Sequence, residues 1–565
     1  MDYTLVVIDL LQQVTNLSKS QIAEIIEIPS NPELADIAFP CFKLSKEFKK
    51  NPQIIAKEIK EKIILPEDSI IEKVKVDGPY LNFFFNESKL AKLTLEQIWK
   101  EKEKYGYLNK TDAAIVVEFP APNTNKPLHL GHLRNMAIGE SISRILEAQG
   151  YSVRRVNLYN DRGIHICKSM LAYKKWGDSK QPNKKPDHFV GDYYILYSQE
   201  EKNSPELIDE AQELLKKWEQ KDPGTLDLWK KMNDWAITGI NESFNRFDVS
   251  FDKHYYESDI WEEGKKIILQ GLKDKIFSKD ENDAIVADVG ELGTKILLRP
   301  DGTSVYIVQD IFLAKLKHDD YKFEKSIYVV ANEQNHHFKV LFKILEMLGY
   351  KFAKGCYHLN YGMVSLPEGR MKSREGTIVD ADVLMNKLAE MAKDEIKSRR
   401  EVTESNLNKL SESIGLAALK YYLLKFSAHK DFLFNPKESI SFEGETGVFL
   451  LYSLVRAKKI QQKIKQQATI DVNFNLFGNE EISLVKKMTN YPNIISKAAD
   501  LYAPHILAKY TFELASIFNI FYENCPVSSE KNEDLKKARI VLVDAFIHVM
   551  RNCLYLLGIK EVEEM

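Results

Sequence analysis

One stretch of the sequence limits the possible folds more than any other: residues 113–159 alternate between strand-like and helix-like patterns. The short apolar run 113–119 is typical of a buried parallel strand. The prolines that follow exclude regular structure, and apolar residues at helical spacing then extend over 131–149, before Gly150. Residues 153–159 have the pattern of a second strand. Strand, crossover helix and strand form the βαβ unit of a nucleotide-binding sheet, so the sequence predicts an α/β domain.

Other patterns divide the 565 residues into three parts, since a single hydrophobic core stops growing at about 250–300 residues. Residues 1–107 predict a small α+β domain, because helical spacing is followed by a strand-like run over 74–85. Residues 108–385 predict the α/β domain, with a polar insertion around 165–250. Residues 386–565 have few glycines and helical spacing throughout, which predicts an all-α domain.

Composition excludes some classes of protein. No apolar run approaches the ~18 residues that a membrane-spanning helix needs, and acidic Asp2 with no basic segment beside it is unlike a secretory signal. The five cysteines form no CxxC pair, which argues against a disulfide framework and against structural zinc. These features predict a cytoplasmic protein without membrane association. A net charge of −3 does not indicate a nucleic-acid binder, but a chain of this size has room for a local basic surface.

The segment between the first strand and the helix carries two histidines, in the motif PLHLGH at 127–132. A helix N-terminus presents free N–H groups and a partial positive charge, so it attracts phosphate. His129 and His132 lie three residues apart and can hydrogen-bond a phosphate as charge develops on it. Gly131 allows a nucleotide to approach the backbone closely. Alone, the motif also fits a capped helix with two surface histidines, whereas a zinc site would need a third ligand.

A second motif, EGRMKSREGT at 368–377, combines bracketing glycines with three cations. Such a loop can neutralise a triphosphate during adenylyl transfer, although alone it also fits a solvated charged turn. Together, a HIGH-like motif after the first strand and a KMSKS-like loop after the last one resemble the paired signatures of class I aminoacyl-tRNA synthetases. The resemblance implies a Rossmann-type catalytic domain and the use of ATP, with Mg²⁺ accompanying the ATP. The catalytic candidates are His129, His132, Lys126, Arg370, Lys372 and Arg374, and the ATP-binding candidates are His129, Gly131, His132, Met371, Lys372 and Ser373.

The residues around these motifs resemble the arginine enzyme in particular. The segment 118–129, EFPAPNTNKPLH, is similar to that family's ExxxPNxxKPxHxGH, and 301–310, DGTSVYIVQD, is similar to its DGTxxYxxxD. The resemblance places Lys126 on a lysine that assists with phosphate. It places Asp310 where a carboxylate makes a two-point contact with the substrate guanidinium. The implied arginine-binding residues are Glu118, Asn123, Tyr306, Asp310, Gln334 and Glu257.

The resemblance covers nearly the whole chain and implies two RNA-binding regions. The N-terminal domain is similar to the family's additional domain, which contacts the tRNA elbow, and the helical domain is similar to its stem-contact and anticodon-binding domain. Aromatic side chains beside cations suit unstacked bases. Phe518 and Phe521 are interpreted as core residues. The predicted tRNA-binding residues are Tyr80, Asn82, Tyr452, Arg456, Tyr510 and Asn519.

The resemblance therefore implies an arginyl-tRNA synthetase, expected to be a monomer, that uses ATP, L-arginine and tRNA(Arg). Two departures are visible. Residues 160–165 are NDRGIH where the family often has GDWGTQ, so Arg162 either contacts phosphate or reshapes a loop. Ser373 occupies the position of the second lysine of KMSKS, and Lys126 is the expected substitute.

Four alternative functions share some of these features. A cysteine enzyme should have zinc-binding cysteines, and a glutamate enzyme should have a basic pocket, whereas this pocket is acidic. An RNA-binding paralogue without activity is disfavoured by intact His129, His132, Lys126 and Asp310. A nucleotidyltransferase fused to a helical adaptor is disfavoured because the helical domain resembles an anticodon binder.

Overall fold

The computed structural model describes residues 3–29, 34–366, 379–399, 403–464 and 468–565. The strands are β1 Ile37–Pro40, β2 Ile71–Asp77, β3 Tyr80–Phe85, β4 Ala114–Glu118, β5 Ser152–Tyr159, β6 Lys253–Tyr256, β7 Ser278–Lys279, β8 Ile285–Asp288, β9 Thr294–Leu298, β10 Lys325–Ala331, β11 Cys356–Tyr361, β12 Val364–Ser365 and β13 Phe432–Leu433.

The helices occupy most of the remaining described chain. They are α1 Tyr3–Val14, α2 Lys19–Ile25, α3 Ser45–Phe48, α4 Pro52–Lys62, α5 Glu87–Glu101, α6 Leu130–Ala148, α7 Ile164–Trp176, α8 Pro186–Glu200, α9 Leu207–Glu219, α10 Pro223–Arg246, α11 Glu257–Lys273, α12 Tyr306–Tyr321, α13 Asn335–Met347, α14 Ala381–Arg399, α15 Glu404–Leu424, α16 Pro436–Ser439, α17 Gly447–Lys463, α18 Asn479–Thr489, α19 Tyr491–Asp500, α20 Pro504–Asn524 and α21 Glu533–Leu556. None of these described helices is both long and apolar enough to cross a membrane.

A five-stranded parallel sheet in the order β11-β10-β4-β5-β6 organises the α/β domain. Its central strand carries Ile115, Val116 and Val117, all buried, as expected where helices cover both faces of a sheet. The predicted strand, helix and strand are β4, α6 and β5. Because all five strands are parallel, their carboxyl ends lie along one edge, which is where such sheets bind ligands.

Helix α6 is buried on nearly every side because it packs against the sheet and against α14 and α15. Gly139 permits this approach, since a Cβ atom there would lie 2.4 Å from Cγ of Phe119. The buried guanidinium of Arg134 donates to the carbonyl oxygens of Gly362, Ala428 and Lys430. It therefore ties α6 to the segment after β11 and to the segment after α15.

The insertion between β5 and β6 consists of helices α7 to α10, which bury a core of their own around Met170, Tyr197, Leu214 and Ala236. Helix α8 touches the loop that precedes α6, because a Cβ atom on Gly191 would lie 2.8 Å from Cδ of Pro127. A three-stranded antiparallel sheet, β7-β8-β9, follows α11.

The chain divides into two compact units. One contains the described residues of Met1–Gly106, Ser453–Ile494 and Glu513–Asn552, and the other contains those of Tyr107–Tyr452, Ile495–Phe512 and Cys553–Met565. The first unit has an antiparallel sheet in the order β1-β3-β2, and its helix α5 packs against α18. The parallel sheet and the insertion lie in the second unit.

Candidate active site

The two histidines of the first motif lie at the N-terminus of α6, where His129 is the N-cap. Nδ1 of His129 accepts a hydrogen bond from the Gly131 backbone N–H at 3.1 Å, and Nδ1 of His132 accepts one from the His129 backbone N–H at 3.1 Å. Since each Nδ1 accepts, the proton of each neutral ring lies on Nε2.

Both imidazoles are uncharged at neutral pH. Burial, with a smaller contribution from Lys126, lowers the pKa of His129 to about 3, and burial lowers the pKa of His132 well below its usual value. Burial also lowers the pKa of Lys126. The helix N-terminus therefore offers two neutral Nε2–H donors with a lysine nearby, and these groups can hydrogen-bond phosphate oxygens.

A second chain segment, 379–381, pairs with the histidine motif. The Leu130 N–H donates to the Val379 carbonyl at 3.0 Å, and the Ala381 N–H donates to the Leu128 carbonyl at 3.0 Å. The next residue, Asp382, pairs with Lys185 of the insertion at 2.7 Å. The candidates Arg370, Met371, Lys372, Ser373 and Arg374 lie outside the described residues.

Four predicted arginine-binding residues follow β6 in the sequence. Two of them lie at the carboxyl ends of sheet strands, and the other two lie on helix α12. Glu257 is the first residue of α11, directly after β6, and is 5% exposed. Asp310 lies on α12, and its Oδ2 atom is 2.6 Å from Nε2 of His337. Tyr306 is the first residue of α12, and 68% of its surface is exposed. Gln334 lies in the turn that follows β10 and is also exposed.

Electrostatics link these carboxyl groups to Asp161, which follows β5. Burial raises the pKa of Glu257 to about 7; Arg162 opposes the rise, and Asp161 and Asp310 add to it. Burial raises the pKa of Asp161 to about 6, although its carboxylate accepts hydrogen bonds from Ser258 N–H at 2.9 Å and Ser258 Oγ at 2.7 Å. Such a concentration of carboxyl groups suits a cationic ligand.

The structure places the remaining pocket candidates differently. Glu118 ends β4 as a buried residue, and its carboxylate pairs with Nζ of fully buried Lys317 at 2.5 Å. Lys317 also lies 3.7 Å from the centre of the Tyr328 ring. The Glu118 charge is thus already balanced, in contrast to the direct arginine contact predicted for it. Asn123 is exposed and forms a parallel bridge with Asn160.

Arg162, whose role the sequence left open, is enclosed by aromatic rings. Its side chain is 10% exposed and forms an ion pair with Glu219 of α9. The guanidinium carbon lies 4.3 Å from the centre of the Trp261 ring and 5.5 Å from that of Trp218. This placement favours the loop-shaping interpretation over a phosphate contact.

Comparison with known proteins decides the family. Three family models match the chain: "tRNA synthetases class I (R), catalytic domain" over residues 94–436, "DALR anticodon binding domain" over 450–565, and "Arginyl tRNA synthetase N terminal domain" over 4–85. The arginine–tRNA ligase of Treponema denticola is 44% identical, over 96% of this chain and 94% of that protein. That of Borrelia duttonii is 41% identical, over 98% and 96%. The chain belongs to the arginyl-tRNA synthetase family.

Solved structures of arginyl-tRNA synthetases have the same fold. That of Thermus thermophilus has a TM-score of 0.81 at 24% identity, covering 96% of both chains. That of Plasmodium falciparum has a TM-score of 0.83 at 21% identity, covering 100% of this chain and 99% of that chain. The predicted fold class, a Rossmann-type domain with a small N-terminal domain and a helical C-terminal domain, is confirmed.

Of the predicted tRNA contacts in the N-terminal part of the chain, one is accessible. Tyr80 begins β3, and its half-buried ring packs edge-on against Phe42 at 5.7 Å. Asn82 lies on the central strand of the antiparallel sheet and is only 7% exposed. Its RNA contact stays a prediction, and this burial leaves little of the residue accessible.

The C-terminal candidates also differ in accessibility. Arg456 is half-buried and donates to Oδ1 of buried Asn519 at 2.7 Å, and Tyr452 is half-buried. Tyr510 is 1% exposed, so its ring packs in a core, and its RNA contact stays a prediction. The interpretation of Phe518 and Phe521 as core residues is confirmed, because both are fully buried.

Sequence reasoning missed several residues of the site. Asp161 and His337 lie within segments that resemble the family's motifs, yet neither was singled out because their partners are distant in sequence. Tyr522 was also overlooked; its partly exposed ring lies 4.9 Å from the Arg456 guanidinium. Arg456 is distant from Tyr522 in the chain, so no local pattern in the sequence marked this contact.

Proposed function

We propose that this chain activates L-arginine with ATP and transfers the arginyl group to the terminal adenosine of tRNA(Arg). One observation carries the proposal: two neutral histidine donors at the start of α6 and a group of buried carboxyl groups follow neighbouring strands of one parallel sheet. Phosphate-binding groups and a cation-binding pocket are therefore available at the same edge.

In the first step, an arginine carboxylate oxygen attacks the α-phosphorus of ATP. The bond from that phosphorus to the bridging oxygen breaks, and pyrophosphate leaves. His129 and His132 donate Nε2–H groups to the phosphate as its charge grows, and Lys126 adds a positive charge. The protein needs no covalent nucleophile. We expect Arg370, Lys372 and Arg374 to assist with pyrophosphate.

Mg²⁺ is expected to accompany the ATP and to take most of its ligands from phosphates and water. The donor chemistry near the histidine motif fits this role, because the nearby carboxylate of Asp382 already pairs with Lys185 and His188. Mg²⁺ would supply charge neutralisation to the leaving pyrophosphate.

In the second step, the 2′-hydroxyl of the terminal adenosine attacks the arginyl carbonyl carbon, an ester bond forms, and AMP leaves. Asp310 would hold the substrate guanidinium during both steps, with Glu257 as a second anionic group and Tyr306 and Gln334 beside them. We also expect tRNA to be needed for activation, and a monomer working in the cytoplasm. Strong ATP–pyrophosphate exchange without tRNA would contradict the first of these expectations.

The decisive experiment is aminoacylation of total tRNA with ATP and, separately, arginine, lysine, glutamate or cysteine. We expect charging with arginine alone. Asp310→Ala should lower kcat/KM for arginine by about 100-fold or more, because it removes a charge-assisted contact. Asp319→Ala is the matched control on α12: Asp319 is exposed and pairs with Lys315, and this variant should behave like the wild type.

Charging with another amino acid would contradict the pocket assignment while leaving the class I chemistry in place. Absence of charging with all four would favour an RNA-binding paralogue without catalysis. Equal losses in Asp310→Ala and Asp319→Ala would show that the effect is not specific to the pocket.

A further inference from the structure

Arg162 links the inserted helices to the helix that carries Glu257. On one side, its guanidinium pairs with Glu219 and lies beside the Trp218 ring, both on α9. On the other side, it lies 4.3 Å from the centre of the Trp261 ring on α11. A single buried cation thus contacts the insertion and the wall of the amino-acid pocket.

Trp261 and Glu257 lie four residues apart on α11 and therefore share one face of that helix. Asp161, adjacent to Arg162 in the chain, fixes the same helix end through its two hydrogen bonds to Ser258. The segment after β5 consequently holds α11 by a carboxylate at its first turn and by a guanidinium one turn further on.

The charged groups that act on Glu257 come from two elements. Arg162 and Asp161 come from the segment after β5, and Asp310 comes from α12, where its carboxylate contacts His337. Gln309 of α12 adds a side-chain hydrogen bond to Glu257, Glu219 of α9 pairs with Arg162, and Asp259 of α11 acts on Asp161. Among these charges, Arg162 is the resident cation that opposes the rise in the pKa of the Glu257 carboxyl.

We propose that Arg162 is a specificity-determining positioning residue: through Trp261 it holds the first turns of α11, and with them Glu257, in place, and so sets the affinity of the pocket for a cationic amino acid. The inference rests on the proposed function, because it takes Glu257 to face the arginine side chain. It assigns no phosphate contact to Arg162, since two tryptophan rings and Glu219 surround the guanidinium.

The test compares Arg162→Leu, Arg162→Lys and the wild type in steady-state aminoacylation with saturating tRNA, from pH 6 to pH 9. Arg162→Leu should raise KM for arginine about tenfold or more at pH 7 and leave KM for ATP within about twofold. Without the cation the pKa of Glu257 rises further, so the acid limb of kcat/KM for arginine should move up by about one pH unit. Arg162→Lys keeps the charge, so the acid limb of kcat/KM for arginine in this variant should lie close to its wild-type position.

Glu219→Gln tests the sign of the effect. Removing this carboxylate leaves the Arg162 charge less neutralised, so the acid limb should move to lower pH. Lys168→Met is the matched control, because Lys168 also pairs with a glutamate, Glu201, and lies over an aromatic ring, Tyr197, within the insertion. Its KM for arginine and its acid limb should stay at wild-type values.

Different results would overturn the inference in distinguishable ways. One such result is an Arg162→Leu variant that differs from the wild type only in a lower melting temperature, with KM for arginine and the acid limb unchanged. That result would leave Arg162 with a purely structural role. Raised KM for ATP at constant KM for arginine would indicate the phosphate contact instead. If Arg162→Leu does not fold, Arg162→Lys and Glu219→Gln still test the inference, because they show whether the acid limb moves in the expected direction. A wild type that does not charge tRNA with arginine would overturn the proposed function, and this inference with it.

Discussion

At the scale of single residues, Glu257 is held in an environment that disfavours its charge. It is buried, and Asp161 and Asp310 both act on it as negative neighbours. A carboxyl group whose pKa is raised in the folded state binds its proton more tightly there than in the unfolded chain. The folded protein therefore loses stability as pH rises from the ordinary range toward about 7, the pKa of this group. Bound arginine would relieve the repulsion.

Glu257→Gln should consequently separate stability from function. At pH 8 we expect its free energy of unfolding to exceed that of the wild type by about 1–3 kcal/mol, and at pH 4 the two should agree. KM for arginine should rise at the same time. Denaturant titrations at both pH values measure the first effect. Glu262→Gln, which changes an exposed carboxylate one turn further along α11, should give no gain at either pH; a gain there would show that the effect is not specific to the buried carboxyl group.

The sequence predicted the local placement of a residue well where a motif sets the backbone, and poorly where a distant partner decides. His129 caps α6 through contacts within its own motif, which spacing alone can anticipate. Glu118, in contrast, pairs with Lys317, 199 residues away in the chain. The burial of Tyr510 was not predicted either, because the type of an aromatic residue does not reveal whether its ring lies in a helical core.

At the scale of elements, α11 and α12 carry Glu257 and Asp310, and their distance apart is set at Gly264. A Cβ atom there would lie 2.4 Å from the Val308 carbonyl oxygen. Gly264→Ala should therefore push the helices apart, with an overpacking cost of about 1–3 kcal/mol and a raised KM for arginine. Thermal unfolding and aminoacylation kinetics measure both effects.

Gly224→Ala is the control for that prediction. Its added Cβ atom would meet only Asp222 Oδ2, at 3.8 Å, in the first turn of α10. Stability should stay constant or increase slightly, because alanine restricts the unfolded chain. A comparable loss in both variants would contradict the role given to the α11–α12 approach.

Elements with a strong period were predicted closely. The run 113–119 became β4, Ala114–Glu118, and the helical spacing over 131–149 became α6, Leu130–Ala148. The order of strands in the sheet could not be read in this way, because β10 joins the other side of β4 only after the insertion and four further strands. Pairing between distant segments leaves no local pattern.

At the scale of the whole molecule, all five cysteines are free. Burial raises the pKa of Cys41, Cys167 and Cys525 to about 12 and that of Cys356 to about 11. Because the thiolate is the reactive form, Ellman's reagent at pH 8 should titrate at most one thiol in the native protein and five after denaturation. Dithiothreitol should leave the melting temperature unchanged. Rapid reaction of three or more native thiols would contradict this packing.

The first compact unit has a consequence for how the protein is made. Thr94 and Thr489 meet within it at 2.9 Å, although 395 residues separate them in the chain, and Tyr105 donates to the Met488 carbonyl 383 residues away. A ribosome adds about 5–20 residues per second, so α5 emerges roughly 20–80 s before its partner α18 exists. During that interval the part of α5 that packs against α18 has no native cover. Nascent chains are therefore expected to need a chaperone on this segment until translation is almost complete.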